Sequence, residues 1–164
     1  MEPRRGTGRR IGDSLAWICL PPLAALAVFL PRITGAGFSS DDWSNRTLAE
    51  RAGPLDLLSE FWGKPFDHRV LHLPYVSLYS NVFGSHAWLY VAWAVLTAAL
   101  LGVAIALLLR RLGAPTWIAS SIAALGVIFP YSSITKIWIT AHVGHVGTLL
   151  AVIGVGLGIR AISR

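Results

Sequence analysis

Two carboxylates stand side by side at Asp41 and Asp42, inside the run Phe38-Ser39-Ser40-Asp41-Asp42-Trp43. Adjacent carboxylates can divide labour, one accepting a proton or holding a cation while the other orients a hydroxyl. They are the candidate catalytic residues, and a divalent cation is the one cofactor they could bind. The competing role is structural: either aspartate could cap a helix running on toward Arg46, because short acids satisfy the free amides of a first helical turn. A second group lies in His68-Arg69-Val70-Leu71-His72. Its two histidines would share a helical face and could ligate zinc. No glutamate follows His68, however, and Pro65 and Pro74 leave little room for a regular helix. Arg69 suits a phosphate or carboxylate, which a guanidinium grips as a fork, or a pairing with Asp67. Lys136 and Trp138, with His142 and His145 close behind, form a third group near a membrane surface. His68, Arg69 and Lys136 are the candidate substrate-binding residues.

The elements that must position these groups follow from the hydropathy pattern. Of 164 residues, 54% are hydrophobic and 13% charged, and the mean hydropathy is +0.60. A soluble domain carries about a quarter charged residues, so much of this surface faces something other than water. An apolar run of about 20 residues crosses roughly 30 Å of hydrocarbon as a helix. The sequence predicts an all-α integral membrane protein with about four transmembrane helices and short interfacial helices in a long first extracytoplasmic loop. A basic tail over 1–13 leads to a first span at 14–31, and the long loop occupies 32–86. A second span at 87–109, a turn at 110–116 and a third span at 117–131 follow. A loop at 132–145, a fourth span at 146–159 and a basic end at 160–164 complete the chain.

The first run is interrupted by Pro21-Pro22, and Pro31-Arg32 lies ahead of the small residues Gly35-Ala36-Gly37. Its length favours a retained anchor over a cleaved signal peptide. In the long loop, Thr47 and Glu50 have the spacing of a capping box for a short helix. Gly53-Pro54 ends that helix and starts another, whose Leu55, Leu58, Phe61 and Trp62 share a face suited to the membrane interface. A third short helix opens at Pro74, gathers Tyr75, Leu78, Tyr79, Val82 and Phe83 near one side, and stops at Gly84.

Charge sets the orientation. Arg4, Arg5, Arg9, Arg10, Arg110, Arg111, Arg160 and Arg164 fall on one side of a four-span chain, which the positive-inside rule assigns to the cytoplasm. The expected location is a multi-pass plasma membrane with the N-terminus inside, and the excess of arginine over lysine suggests a bacterial source. The net charge of +6 sits in clusters bracketing apolar runs, which argues against nucleic acid as a partner. Cys19 is the single cysteine, so neither an internal disulfide nor a cysteine metal site is expected. Asn45-Arg46-Thr47 is a glycosylation sequon, of consequence only in a eukaryotic secretory pathway. Gly147, Gly154, Gly156 and Gly158 give the last span the small-residue spacing of close helix packing, so a membrane-protein partner could dock there.

The order of pieces resembles the N-terminal part of the GT-C superfamily of membrane glycosyltransferases, which includes users of polyprenyl-phosphate mannose. The resemblance rests on an arginine-flanked first span followed by Asp41-Asp42-Trp43, and on interfacial helices with His68-Arg69-Val70-Leu71-His72-Leu73-Pro74-Tyr75 before the second span. Phe129-Pro130 ahead of Lys136-Ile137-Trp138-Ile139 completes it. It implies an inverting transferase in which an acid of the first outer loop, Asp41 or Asp42, deprotonates an acceptor hydroxyl. The implied donor is a polyprenyl-phosphate sugar drawn from among the membrane lipids, with Arg69 and Lys136 neutralising the leaving phosphate. The acceptor is unspecified. Members of that superfamily usually have eight or more spans, so the chain matches a fragment or a reduced relative. They also commonly carry an arginine-proline pair near the position of Arg69, which this sequence lacks. The reading from another class is a non-enzymatic four-span protein that assembles with other membrane proteins.

Overall fold

In a computed structural model, the chain is described over residues 15–38, 40–51, 53, 55–56, 59, 72–129 and 143–162. Every regular element among the described residues is helical: a 3-10 turn at Leu15–Cys19, then α1 (Leu20–Ile33), α2 (Ser40–Arg51), α3 (His72–Phe83), α4 (Ala87–Arg111), α5 (Thr116–Ile128) and α6 (Val143–Ile162). Among the described residues three stretches are long and apolar enough to cross a membrane, at Ala16–Ile33, Ala87–Arg111 and Gly144–Ile162. The protein is therefore a helical membrane protein. The fourth apolar segment, α5, has 13 residues, or about 20 Å of helix against roughly 30 Å of hydrocarbon. Its end is chemical: Pro130 follows, and Phe129 adopts the extended conformation (φ −56, ψ 134) that a residue before proline prefers.

The double proline of the first span explains the change of helix type there. Pro21 and Pro22 lie in the first turn of α1, where missing amides break nothing downstream, but they cannot donate to carbonyls upstream. The preceding turn is accordingly a 3-10 turn rather than an α-turn.

Half of the α4 span is buried, against 17% of the first span and 11% of the last, so α4 is the axis of the bundle. Its buried face is lined by small residues, Ala94, Ala98, Ala99, Gly102 and Ala106, which lets neighbouring backbones come close. At Gly102 three helices cross: an added Cβ would sit 2.7 Å from Pro21 Cβ and 2.7 Å from Val127 Cγ2. Pro21, at the start of α1, thus meets the second half of α4. Phe29 and Ile33, at its end, join the cluster of Val91 and Val95 in the first half. The two helices are antiparallel. A turn at 112–115, with Gly113 at φ +95, reverses the chain into α5. In α6, Gly156 accepts a 2.8 Å hydrogen bond from Arg111 Nη1 at the end of α4, so α4 and α6 run the same way. One end of the bundle therefore carries Arg110, Arg111 and Arg160, and α2 and α3 lie at the other.

Several local details differ from the sequence reading. Thr47 is not a cap: α2 begins at Ser40, and Thr47 lies inside it, bonding back to Trp43 O at 2.9 Å. Glu50 instead pairs with Arg46 at 2.8 Å, one helical turn away. The turn at Gly53 is capped, its amide donating to Asp56 Oδ2 at 3.1 Å, and Asp56 and Ser59 are helical. Leu55 there is 79% exposed, while Leu58, Phe61 and Trp62 lie outside the described residues. The buried face of α3 is rotated from the expected one: Val76, Ser77 and Tyr79 are buried, whereas Leu78 and Val82 are exposed. Gly84 does stop α3, at φ +55 with its amide on Ser80 O, a conformation that favours glycine. The last helix begins at Val143, so His145 belongs to its first turn and not to a loop.

Candidate functional site

The aspartate pair sits in the first turn of α2, eight residues beyond the end of α1 at its nearest. Carboxylates in a first turn are favoured by the positive end of the helix dipole. Asp42 is an internal member of that turn rather than the residue preceding it, so it does not occupy the capping position. Its side chain is buried, at 2% exposure, an unusual position for a carboxylate and the most pointed feature of the site. The side chain of Asp41 lies outside the description.

Asp42 is enclosed where α2 packs on α3, beneath an aromatic cluster. Tyr79 contacts Tyr75 and Tyr90, with ring centroids 4.9 and 5.1 Å apart, and Phe83 meets Tyr90 edge-on at 5.3 Å. Phe38, on the strap between α1 and α2, touches both Trp43 and Tyr90, which ties the two layers together. Two buried polar links fix the rings: Trp93 Nε1 donates to Tyr75 Oη at 2.6 Å, and Tyr90 Oη donates to Gly84 O at 2.7 Å. Burial raises the Tyr79 phenol well above the tyrosine range, and the nearby Tyr75, Asp42 and Tyr90 push it the same way. Burial also raises Tyr75, offset in part by the hydrogen bond from Trp93. Both phenols stay protonated at any ordinary pH.

One turn beyond Asp42 on α2, Arg46 lies 5.5 Å from the centre of the Phe38 ring and 5.9 Å from that of Trp43. Its Nε is bound to Glu50, so the guanidinium is held in one orientation beside the half-exposed Trp43. The sequence reading passed over Arg46, although its spacing to Trp43 (three residues) and Glu50 (four) was a readable signal. On the α1 side a cleft of about 310 Å³ opens between Arg32, Gly35, Ala36, Gly37 and Val91.

Of the other candidates, His68, Arg69 and Lys136 lie outside the described residues, as do Trp138 and His142. His72 opens α3, and His145 is buried near the start of α6. What the described residues assemble is a carboxylate in an aromatic pocket, an oriented guanidinium and an open cleft, all at the end of the bundle opposite the arginine cluster. Such a set can offer a proton acceptor and hold an anion and a flat or ring-shaped apolar group. No family model, curated protein or solved structure matches the chain.

Proposed function

We propose that the chain is a glycosyltransferase-like membrane protein, or the N-terminal part of one, acting on a polyprenyl-phosphate sugar at the outer membrane face. The observation that carries this reading is the Asp41–Asp42 pair in the first turn of α2, with Asp42 buried against tyrosines at one end of the helical bundle. Asp41 is the better general base, because burial removes Asp42 from the reach of an acceptor hydroxyl. Asp42 then orients the turn from within. The acceptor oxygen attacks the anomeric carbon as its proton passes to Asp41, the bond to the phosphate oxygen breaks, and the sugar inverts. Arg69 and Lys136 are assigned to the leaving phosphate, stabilising charge as it develops.

The topology that goes with this reading has four spans, with α5 as the third. The N-terminus and the cluster of Arg110, Arg111 and Arg160 lie in the cytoplasm of a bacterial plasma membrane. Antiparallel packing of α1 on α4 and the parallel run of α4 and α6 support it. Cysteines placed singly at Ser59 and Ser85 then react with an impermeant thiol reagent in intact cells, and one at Ala114 does not. The reverse pattern sinks the orientation.

The catalytic test is Asp41→Asn and Asp42→Asn, with transfer from labelled polyprenyl-phosphate sugars measured beside membrane abundance. Loss of a general base lowers rate by about a hundredfold to ten-thousandfold. Asp41→Asn gives that loss at normal abundance, while Asp42→Asn lowers abundance and activity together. Full transfer by both variants removes the catalytic assignment.

A second reading, a non-enzymatic assembly protein, is favoured by α6. Little of that helix is buried, and a Cβ added at Gly147, Gly154 or Gly158 would meet nothing within 4 Å. Absence of transfer from every donor, with α6 cross-linking to another membrane protein, would favour it.

A further inference from the structure

The cleft at the end of α1 has a chemistry that the aspartate pair does not use. Arg32 lies in the last turn of α1, with its guanidinium 5.4 Å from the centre of the Phe29 ring. Phe29 is only 2% exposed, so this ring is a fixed platform beneath the exposed Arg32 side chain. Among the described residues the one ion pair joins Arg46 to Glu50, so Arg32 brings an uncompensated positive charge to the cleft it lines. The rest of the rim is bare. Gly35 and Gly37 contribute no side chains, and a Cβ at either would meet nothing within 4 Å. Below them Ala36 and Val91 belong to the apolar cluster between α1 and α4. The opening thus pairs one fork-shaped cation with a small-residue rim and an apolar floor.

Depth decides what can reach it. From Ala16 to Arg32 the 3-10 turn and α1 together rise about 26 Å, close to the roughly 30 Å of the hydrocarbon layer. With this stretch set across the layer, Arg32 stands near its edge, where a long cationic side chain reaches the lipid phosphates, and the floor at Val91 faces the level of the first methylenes. We propose that this cleft holds the phosphate of a lipid, gripped by the Arg32 guanidinium, with the start of the lipid chain against Val91. A phosphate ester on a long apolar chain is the ligand class, whether a polyprenyl phosphate or a glycerophospholipid. The inference stands on the cleft itself and is independent of sugar transfer.

The test is equilibrium binding of labelled polyprenyl phosphate, phosphatidic acid and inorganic phosphate to the full chain in an uncharged detergent. Wild-type protein binds at least one of the two lipids. Arg32→Gln weakens that binding about tenfold or more, the scale of a lost charge-assisted pair, and Arg32→Lys falls between. Gly35→Val fills the cleft while keeping the charge, and its φ is not in the left-handed region, so the backbone accepts the side chain; it weakens binding to a similar degree. Preference for polyprenyl phosphate identifies a donor seat and equal binding a general headgroup seat, and both support the proposal. It is overturned if neither lipid binds, if both bind Arg32→Gln as well as wild type, or if only inorganic phosphate binds through Arg32. Loss in Arg32→Gln with full binding in Gly35→Val also overturns it, because attraction by charge alone needs no cleft. Helical content and elution volume are checked for each variant, and Gly35→Val decides should Arg32→Gln fail to fold.

Discussion

The two halves of α4 solve different problems with different side chains. Its first half presents Tyr90 and Trp93, large rings whose polar atoms bind Gly84 O and Tyr75 Oη, and through them it carries α3 and α2. Its second half presents Gly102 and Ala106, which offer almost nothing to touch and so let Pro21 of α1 and Val127 of α5 approach. Bulky aromatic packing with internal hydrogen bonds can extend a fold beyond the hydrocarbon, where water competes for every polar group. Smallness works only inside the apolar layer, where dispersion between close backbones replaces the hydrophobic effect. A carboxylate such as Asp42 can be buried over the first half, within reach of neutral phenols, and has no counterpart over the second among the described residues.

Substitution in each half tests the contrast. Gly102→Val should have the largest effect. A Cβ alone lies 2.7 Å from Pro21 Cβ and from Val127 Cγ2, and the proline ring cannot rotate away. Overpacking by even one methyl typically costs about 1–3 kcal/mol, so the valine variant should lose the folded bundle in detergent. A wild-type melting temperature would mean that the crossing is looser than described. Tyr79→Ala comes next. Truncating a buried aromatic removes about 3–5 kcal/mol, but the loss should stay in the outer layer. Hydrogen exchange should quicken in α2 and α3 and remain slow in Ala94–Ala106 of α4; uniform loosening would show that the halves do not act separately. Ser120→Ala should be the mildest. Its Oγ is fully buried without a hydrogen-bond partner, and deleting an unsatisfied hydroxyl should leave stability within about 0.5 kcal/mol or raise it slightly. A marked fall in melting temperature would reveal a partner for that hydroxyl.

Helix periodicity made α4 legible from its sequence, since its apolar run begins after Gly84-Ser85-His86 and ends at Arg110-Arg111. Boundaries set by a single residue were harder. The third span was expected to reach 131, but Pro130 acts on the residue before it and ends α5 at Ile128. The start of α6 was expected at 146, because Gly144, His145 and Gly147 read as polar or breaking; in the bundle the helix extends back to Val143. Asp41 and Asp42 could not be told apart by spacing, because which of them is buried depends on how α2 is rotated against α3. The faces of short helices were misjudged for the same reason. Tyr79 and Val82 are both apolar enough to be inside, and only the packing against Tyr90 selects Tyr79.

The hydrogen bond from Arg111 to Gly156 joins residues 45 positions apart. Because a chain is made from its N-terminus, α1, α4 and α5 are complete before Gly156 emerges, and α6 is the last of these helices that can dock. A chain caught midway through synthesis would hold a three-helix core whose final helix has yet to choose its neighbour.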